Sequence, residues 1–256
     1  MSSISEDDKQ AVLEVLNENK FLTAGPKVID FEETIKDFCG AKYACAVNSG
    51  TAALHLAVDS LNLKNTDEVI VTCMSFVASA NCIEYCNAKP VFCDIEEDTM
   101  NIDIQKIEDL ITPNTKAIIA VDFAGQPCDY HKLKQISNKY KLTIIQDAAH
   151  SFGCQIKTCN TSPYVGGYAD ITTLSFHPVK NMTTCEGGMC LTNNELFYQR
   201  MKQFRTHGIN KTFADREKNA SHFYQMESLG FNYRIPDILC ALGLSQLNKL
   251  PNLIKR

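Results

Sequence analysis

The chain has 256 residues, 45% of them hydrophobic, and carries 25 basic against 30 acidic residues for a formal net charge of -5. That is enough apolar material for a large core, and the mixed charges leave no basic stripe to follow a phosphate backbone, so nucleic acid is not expected as a partner. No uninterrupted apolar run is long enough to span a bilayer, and the opening "MSSISEDDKQ" is polar and acidic where a signal peptide is basic and then apolar. The expectation is a cytoplasmic chain without a membrane partner. Twelve cysteines are present without a CxxC, and the closest pairs (Cys82 with Cys86, Cys154 with Cys159, Cys185 with Cys190) match no common zinc spacing. They read as reduced core thiols, with no metal site.

In chain order, short β-rich runs alternate with helical stretches. The runs are "YACAV" near 43, "EVIVT" near 68, "PVFC" near 90, "AIIAV" near 117, "LTIIQ" near 142, "DITTLSF" near 170 and "GMCLT" near 188. Most are nearly continuous in apolar residues, as in strands covered on both faces. Between them, "TAALHLAVDSL" and "DYHKLKQISNKY" carry apolar residues at three- and four-residue spacing. The class is therefore α/β with a mostly parallel sheet, and no repeat or Pro/Gly-rich linker divides it. Ligands of such sheets bind beyond the carboxyl ends of the strands, which directs attention to four of them.

The first is "NSGTAAL", where Gly50 permits a tight turn and the amides of Thr51 and Ala52 open a helix, either as a seat for a phosphate or as an ordinary capped N-terminus. The second is "TCMSFVASANC", where Phe76 could lie against a planar ligand or simply belong to the core. At the third, "IIQDAAH", Asp147 either caps the next turn or faces a bound cation, and His150 is either a satisfied histidine or a contact. The fourth, "SFHPVKNMTTCEGGM", sets Ser175 and Lys180 between an apolar strand and a glycine pair. A lone loop lysine is ordinarily solvated. Together with a carboxylate and a phosphate seat on one sheet, however, it completes what a pyridoxal phosphate enzyme requires: an anchor for the phosphate, a partner for the protonated pyridine nitrogen and a Schiff-base lysine. A dinucleotide-binding dehydrogenase would want G-x-G-x-x-G after an early strand, and "NSGTAAL" lacks it.

On "FLTAGPKVIDFE", "NSGTAALHLA", "VDFAGQPCD", "QDAAHSFG", "SFHPVKNMTTCEGG" and "LGFNYRIPDILCALGLSQL", the chain resembles the DegT/DnrJ/EryC1/StrS family of sugar aminotransferases. "SFHPVK" and "FVASAN" make it most similar to the branch acting in pseudaminic acid biosynthesis, on a UDP-linked 4-keto-6-deoxy-N-acetylhexosamine with L-glutamate as donor. The resemblance implies the large, cofactor-binding domain of fold type I of the pyridoxal phosphate enzymes over 1–256, a seven-stranded sheet with helices on both faces, and a homodimer with shared active sites. It implies Lys180 as the Schiff-base lysine, Asp147 on the pyridine nitrogen, Thr51, Ala52 and Ser175 on the phosphate, Phe76 and His150 flanking the ring, and Asn232 reaching the other subunit's phosphate. His177 receives no role. A dehydratase of the family would carry histidine in place of Lys180.

Two departures from the family pattern stand out. Family members continue past "LPNLIKR" into a small C-terminal domain, which raises as an alternative a truncated, non-catalytic remnant that binds cofactor or a partner chain without turnover. Cys185 stands where the family loop usually reads "TTGEGG"; if that position has positive φ, a cysteine strains it by about 1 kcal/mol.

Overall fold

The computed structural model describes residues 4–18, 20–156, 164–210 and 223–255, so Cys159 lies outside the described residues. Seven strands form one sheet: β1 (Tyr43–Val47), β2 (Glu68–Thr72), β3 (Lys89–Cys93), β4 (Thr115–Val121), β5 (Thr143–Asp147), β6 (Ile171–Ser175) and β7 (Gly188–Thr192). Their order is β1-β7-β6-β5-β4-β2-β3, and every pairing is parallel except the two made by β7. All seven runs read as strands are strands, and the mostly parallel, seven-stranded arrangement is the one expected.

The near-continuous apolar character of the strands has a direct cause. Alternate residues feed two separate cores: Ala44, Ala46, Ile118, Ala120 and Ile144 point to one face, and Cys45, Val47, Ala117, Ile119 and Ile145 to the other. The first core is closed by α2 (Pro26–Cys39), α6 (Tyr130–Tyr140) and α8 (Asp237–Leu247) through Phe31, Ile35, Leu133, Cys240 and Leu247. The second is closed by α3 (Gly50–Asp59), α4 (Ala78–Tyr85) and α7 (Glu195–Arg205) through Leu56, Ile83 and Phe204. Each of these side chains, fully buried, contributes about 1.5–3 kcal/mol relative to exposure. The short α5 (Ile104–Leu110) adds Ile107 to the first core.

Long-range polar contacts fix the helices to one another. Asp237, the first residue of α8, accepts the amides of Gly25 at 2.8 Å and Lys27 at 2.9 Å, and so caps α2 from 212 residues away. The terminal helix α1 (Glu6–Glu18) packs on α8, and the fully buried Asp8 is held by Ser245, Gln246 and Lys249, the last two ahead of or within the link to α9 (Leu250–Ile254). These donors hold the Asp8 carboxyl at about 2, although burial alone would raise it. Glu32 on α2 pairs with Arg205 at the end of α7 at 2.5 Å, and both also bind the backbone of Ala46 in β1. Among the described residues no helix is long and apolar enough to cross a membrane, and no cluster of three or more His, Cys, Asp or Glu side chains could hold a metal ion. The eleven described cysteines form no disulfide with one another, and seven are buried core side chains.

Candidate active site

The carboxyl ends of β2, β4, β5 and β6, the β1–α3 turn and the start of the antiparallel β7 surround a cavity of about 600 Å³. Its wall includes Thr51, Phe76, Asp147, His150, Ser175 and Lys180. All four strand ends chosen from the sequence therefore meet in one place. The end of β4 was not among them: the side chains it contributes, Val121 and Phe123, are apolar, and its carboxylate, Asp122, does not line the cavity.

Close backbone approach makes the cavity's phosphate-side corner. A Cβ on Gly188 would lie 2.3 Å from the Ser49 carbonyl oxygen and 2.8 Å from the Gly50 nitrogen, so the second glycine of "EGGM" is what lets β7 run against the β1–α3 turn. Gly50 in turn lies against Ser175, whose Cβ would be 2.8 Å from a Cβ there. The result brings the N-terminus of α3 beside the Ser175 hydroxyl. Ser49 caps α3, its Oγ accepting the Ala52 amide at 3.0 Å. Both readings of "NSGTAAL" thus have a counterpart: the helix is capped in the ordinary way, and its first turn faces a cavity at the positive end of the helix dipole.

Asp147 ends β5 and is buried. Its Oδ2 accepts the Ser79 hydroxyl at 2.7 Å and its Oδ1 accepts the Ala149 amide at 3.2 Å. Burial pushes its carboxyl up, and the two donors, His150 and Lys180 counteract only part of that. His150 follows on the same turn. Its Nδ1 is buried with no hydrogen-bond partner, and burial together with the Lys180 charge lowers its pKa.

Lys180 sits on a loop whose residues hold one another in place. Its amide bonds to the His177 carbonyl at 2.9 Å, two residues past the rigid φ of Pro178. The next side chain, Asn181, donates to the carbonyls of His150 at 3.2 Å and Phe152 at 2.8 Å, tying the lysine loop to the aspartate turn. Thr183 and Thr184 both bind the Phe176 carbonyl, through a hydroxyl at 2.9 Å and an amide at 3.0 Å. Lys180 is half-buried and forms no ion pair among the described residues; burial lowers its pKa, opposed by the Asp147 charge. That is the electrostatic setting of a nucleophilic amine.

A match to the family model described as "DegT/DnrJ/EryC1/StrS aminotransferase family" covers residues 2–256. The chain belongs to the DegT/DnrJ/EryC1/StrS aminotransferase family. It is 39% identical to the UDP-4-amino-4,6-dideoxy-N-acetyl-beta-L-altrosamine transaminase of Campylobacter jejuni over 99% of its own length and 65% of that protein's. Among solved structures it is similar to Helicobacter pylori PseC, an aminotransferase involved in the biosynthesis of pseudoaminic acid, at 37% identity and a TM-score of 0.88 over 98% of this chain and 65% of that one. The pyridoxal phosphate form of the sugar aminotransferase Spr1654 of Streptococcus pneumoniae matches at 31% identity with a TM-score of 0.89, over 98% of this chain and 66% of that one. The chain thus spans just under two thirds of the length of these relatives, and it shares the α/β fold of pyridoxal phosphate-dependent aminotransferases.

Within this family setting, the cavity brings together Thr51, Phe76, Asp147, His150, Ser175 and Lys180. Phe76 is 74% exposed, open to the cavity on one side and to solvent on the other. Ala52 is buried behind the first turn of α3 and does not line the cavity. Asn232 is held away from the cavity of its own chain: it bridges to Thr206, and its carbonyl accepts the Asn48 side chain at 3.4 Å. Its neighbours explain its exposure, because Phe231 and Tyr233 stack at 5.1 Å and pack around His55, with the Tyr233 hydroxyl 3.1 Å from His55 Nδ1, so the residue between them projects outward. His177, left without a role, lines the cavity mouth 3.9 Å from Glu186. Sequence reading missed Ser79, which donates to Asp147. Its signal was faint but present: four residues separate it from Ser75 across a helix start, and it lies three positions after Phe76.

Cys185 has φ 67°, the left-handed conformation on which the expected strain depended. Its amide donates to the Thr183 hydroxyl at 2.9 Å, which holds the turn in that shape.

Proposed function

We propose that the chain carries the cofactor-binding site of a nucleotide-sugar aminotransferase, using pyridoxal phosphate to move an amino group from L-glutamate to the C4 keto group of a UDP-linked 4-keto-6-deoxy sugar. The observation that carries this reading is the meeting of a depressed lysine, a buried carboxylate with open acceptor sites and an unpartnered imidazole nitrogen around one cavity. The residues fit the cofactor on grounds of their own: a 600 Å³ cavity holds a small ring with room for substrate, and the close approaches at Gly188 and Gly50 set the first turn of α3 beside the Ser175 hydroxyl at its edge.

The roles follow from position. Lys180 would hold the cofactor through its aldehyde and would supply the amine that takes up and returns the donor's α-proton; its lowered pKa keeps a neutral fraction available for that work. Asp147 would accept from the pyridine N–H and so keep it protonated. Thr51 and Ser175 would hold the phosphate at the positive end of α3, where the Ala52 amide is already taken by Ser49, with Phe76 and His150 against the two sides of the ring. The bound cofactor supplies an electron sink for the carbanion. Asn232, projecting outward, fits a second copy of the chain better than its own cavity, which supports a homodimer with shared sites.

The test is visible absorbance of the purified chain with pyridoxal phosphate, then borohydride reduction and peptide mapping. The expected result is one adduct, on Lys180, whose formation is suppressed by prior addition of glutamate. Adducts scattered over surface lysines would overturn the reading, and an adduct on Lys180 indifferent to glutamate would leave a site that binds cofactor without turnover.

A further inference from the structure

The Asp147 carboxylate is not held by the strand alone. Ser79 Oγ lies 2.7 Å from Asp147 Oδ2 and 2.7 Å from Ser75 Oγ, and Ser79 is 1% exposed. A serine hydroxyl has one proton, and an ionised carboxylate can only accept. Ser79 therefore gives its proton to Asp147, and Ser75 must give its own to Ser79. The chain of hydroxyls runs one way, from the cavity-lining loop that bears Phe76 to the aspartate at the end of β5.

We infer that Ser79 is a positioning residue for the cofactor's ring nitrogen: by occupying Oδ2 it turns Oδ1 toward the cavity and holds the Asp147 carboxylate ionised to receive the ring N–H. The inference rests on the reading of this site as a pyridoxal phosphate site. Three observations support it. Asp147 has two protein donors for about four acceptor positions, so the remaining ones are directed at the cavity that it lines. The second donor, the Ala149 amide at 3.2 Å, is the longer of the two, so the hydroxyl is the stronger restraint. Burial opposes ionisation of Asp147, and Ser79 is the foremost of the groups that favour the charged form.

The experiment compares two ligands on each protein: pyridoxal phosphate and its 1-deaza analogue, in which a C–H replaces the ring nitrogen. A role in packing alone would weaken both equally, whereas a role through Asp147 and the ring nitrogen weakens only the first. Equilibrium titration is expected to show Ser79→Ala binding pyridoxal phosphate about tenfold more weakly than the parent chain, with the analogue changed less than about twofold. Ser79→Thr, which restores the hydroxyl, should return to within about threefold of the parent. Ser75→Ala, one hydroxyl further out, should lose about twofold to threefold. If Ser79→Ala does not fold by circular dichroism, Ser79→Cys, near in volume and a poor donor, takes its place with the same expected split. Equal losses for both ligands, or no loss for either, would overturn the inference. A parent chain that takes no cofactor on Lys180 overturns the reading of the site and this inference with it; a parent chain that does, beside an unchanged Ser79→Ala, overturns this inference alone.

Discussion

Two buried aspartates end neighbouring strands of the same sheet, and they are in opposite conditions. Asp122, just past β4, has every acceptor position taken: Oδ1 by the Cys128 amide at 3.0 Å and the Tyr130 hydroxyl at 2.7 Å, Oδ2 by Gln146 at 2.7 Å and the Ser151 hydroxyl at 2.5 Å. Asp147, at the end of β5, has two donors and a face on the cavity. Both are pushed toward the neutral form by burial. A raised pKa therefore does not separate a working carboxylate from a structural one; unfilled acceptor positions do. The Asp122 network ties together β4, β5 and α6, with Gln146 passing the connection to Thr172 on β6, and Ser151 fixes the turn that carries His150. One region of the strand ends is finished, and the other is left open beside it.

The largest effect should come from emptying the finished region. Asp122→Ala would leave four buried donors without a partner and is expected to cost about 3–5 kcal/mol of unfolding free energy in chemical denaturation. Asp147→Ala, which strips two donors beside an open cavity, should change it by less than about 1 kcal/mol while abolishing tight cofactor binding. Equal losses of stability in the two variants would remove the distinction drawn here.

A pH series sharpens the same contrast. Burial pushes the Asp122 carboxyl up from its ordinary 3.8 to about 6, with its four donors opposing. Between those values the folded chain binds the proton more tightly than the unfolded chain, so this group's contribution is full below 3.8 and is lost as the pH rises through about 6. Asp147 and Asp59, also raised by burial, act in the same direction; His55 and His150, which burial lowers, act against it. Asp8, at about 2, titrates in a separate and more acidic window. The Asp122 contribution is isolated by the difference between the parent chain and Asp122→Asn. That difference should move in favour of the parent by about 2 kcal/mol as the pH falls from 6.5 to 4, read by urea denaturation at each pH. A constant difference would mean that Asp122 stays ionised and that its four donors outweigh its burial.

Removing a single donor gives a smaller effect. Tyr130→Phe takes one of the four bonds from Asp122 and leaves the ring buried, so a loss of about 1–2 kcal/mol is expected, with the titration of Asp122 displaced to higher pH because that hydroxyl favours the charged form. No displacement would show that the remaining donors re-form around the carboxylate.

The contrast also marks how far the sequence could be read. The strands were legible because each run is apolar on both sides, and that pattern arises when helices cover both faces of a parallel sheet. Lys180, Asp147 and Ser175 were legible because they interrupt that pattern at a strand end. Asp122 interrupts it too, in "AIIAVDF", yet its partners lie 6, 8, 24 and 29 residues away and carry no motif of their own. Ser79 was hidden for the same reason, since 68 residues separate it from the carboxylate it serves. Spacing along the chain reports what one element does; the filling of a carboxylate's acceptor positions is a property of the assembled sheet.

The open region also stores backbone strain. At Cys185 the left-handed φ of 67° is forced by its surroundings: Thr183 Oγ1 binds its amide, Thr184 Oγ1 binds the Glu186 carbonyl at 2.9 Å, and Gly188 must meet the Ser49 carbonyl beyond. A non-glycine residue there costs about 1 kcal/mol. Cys185→Gly relieves that cost but adds conformational freedom to the unfolded chain, so the net gain should be under about 1 kcal/mol, the smallest of these effects. The exposed side chain takes no part in the core, so no packing is lost. A gain in denaturation midpoint with unchanged cofactor affinity would mean that the strain is incidental to the site. A gain in stability accompanied by weaker cofactor binding would mean that the turn's rigidity, set by the cysteine's narrower choice of conformation, helps to hold Lys180 against the open face of Asp147.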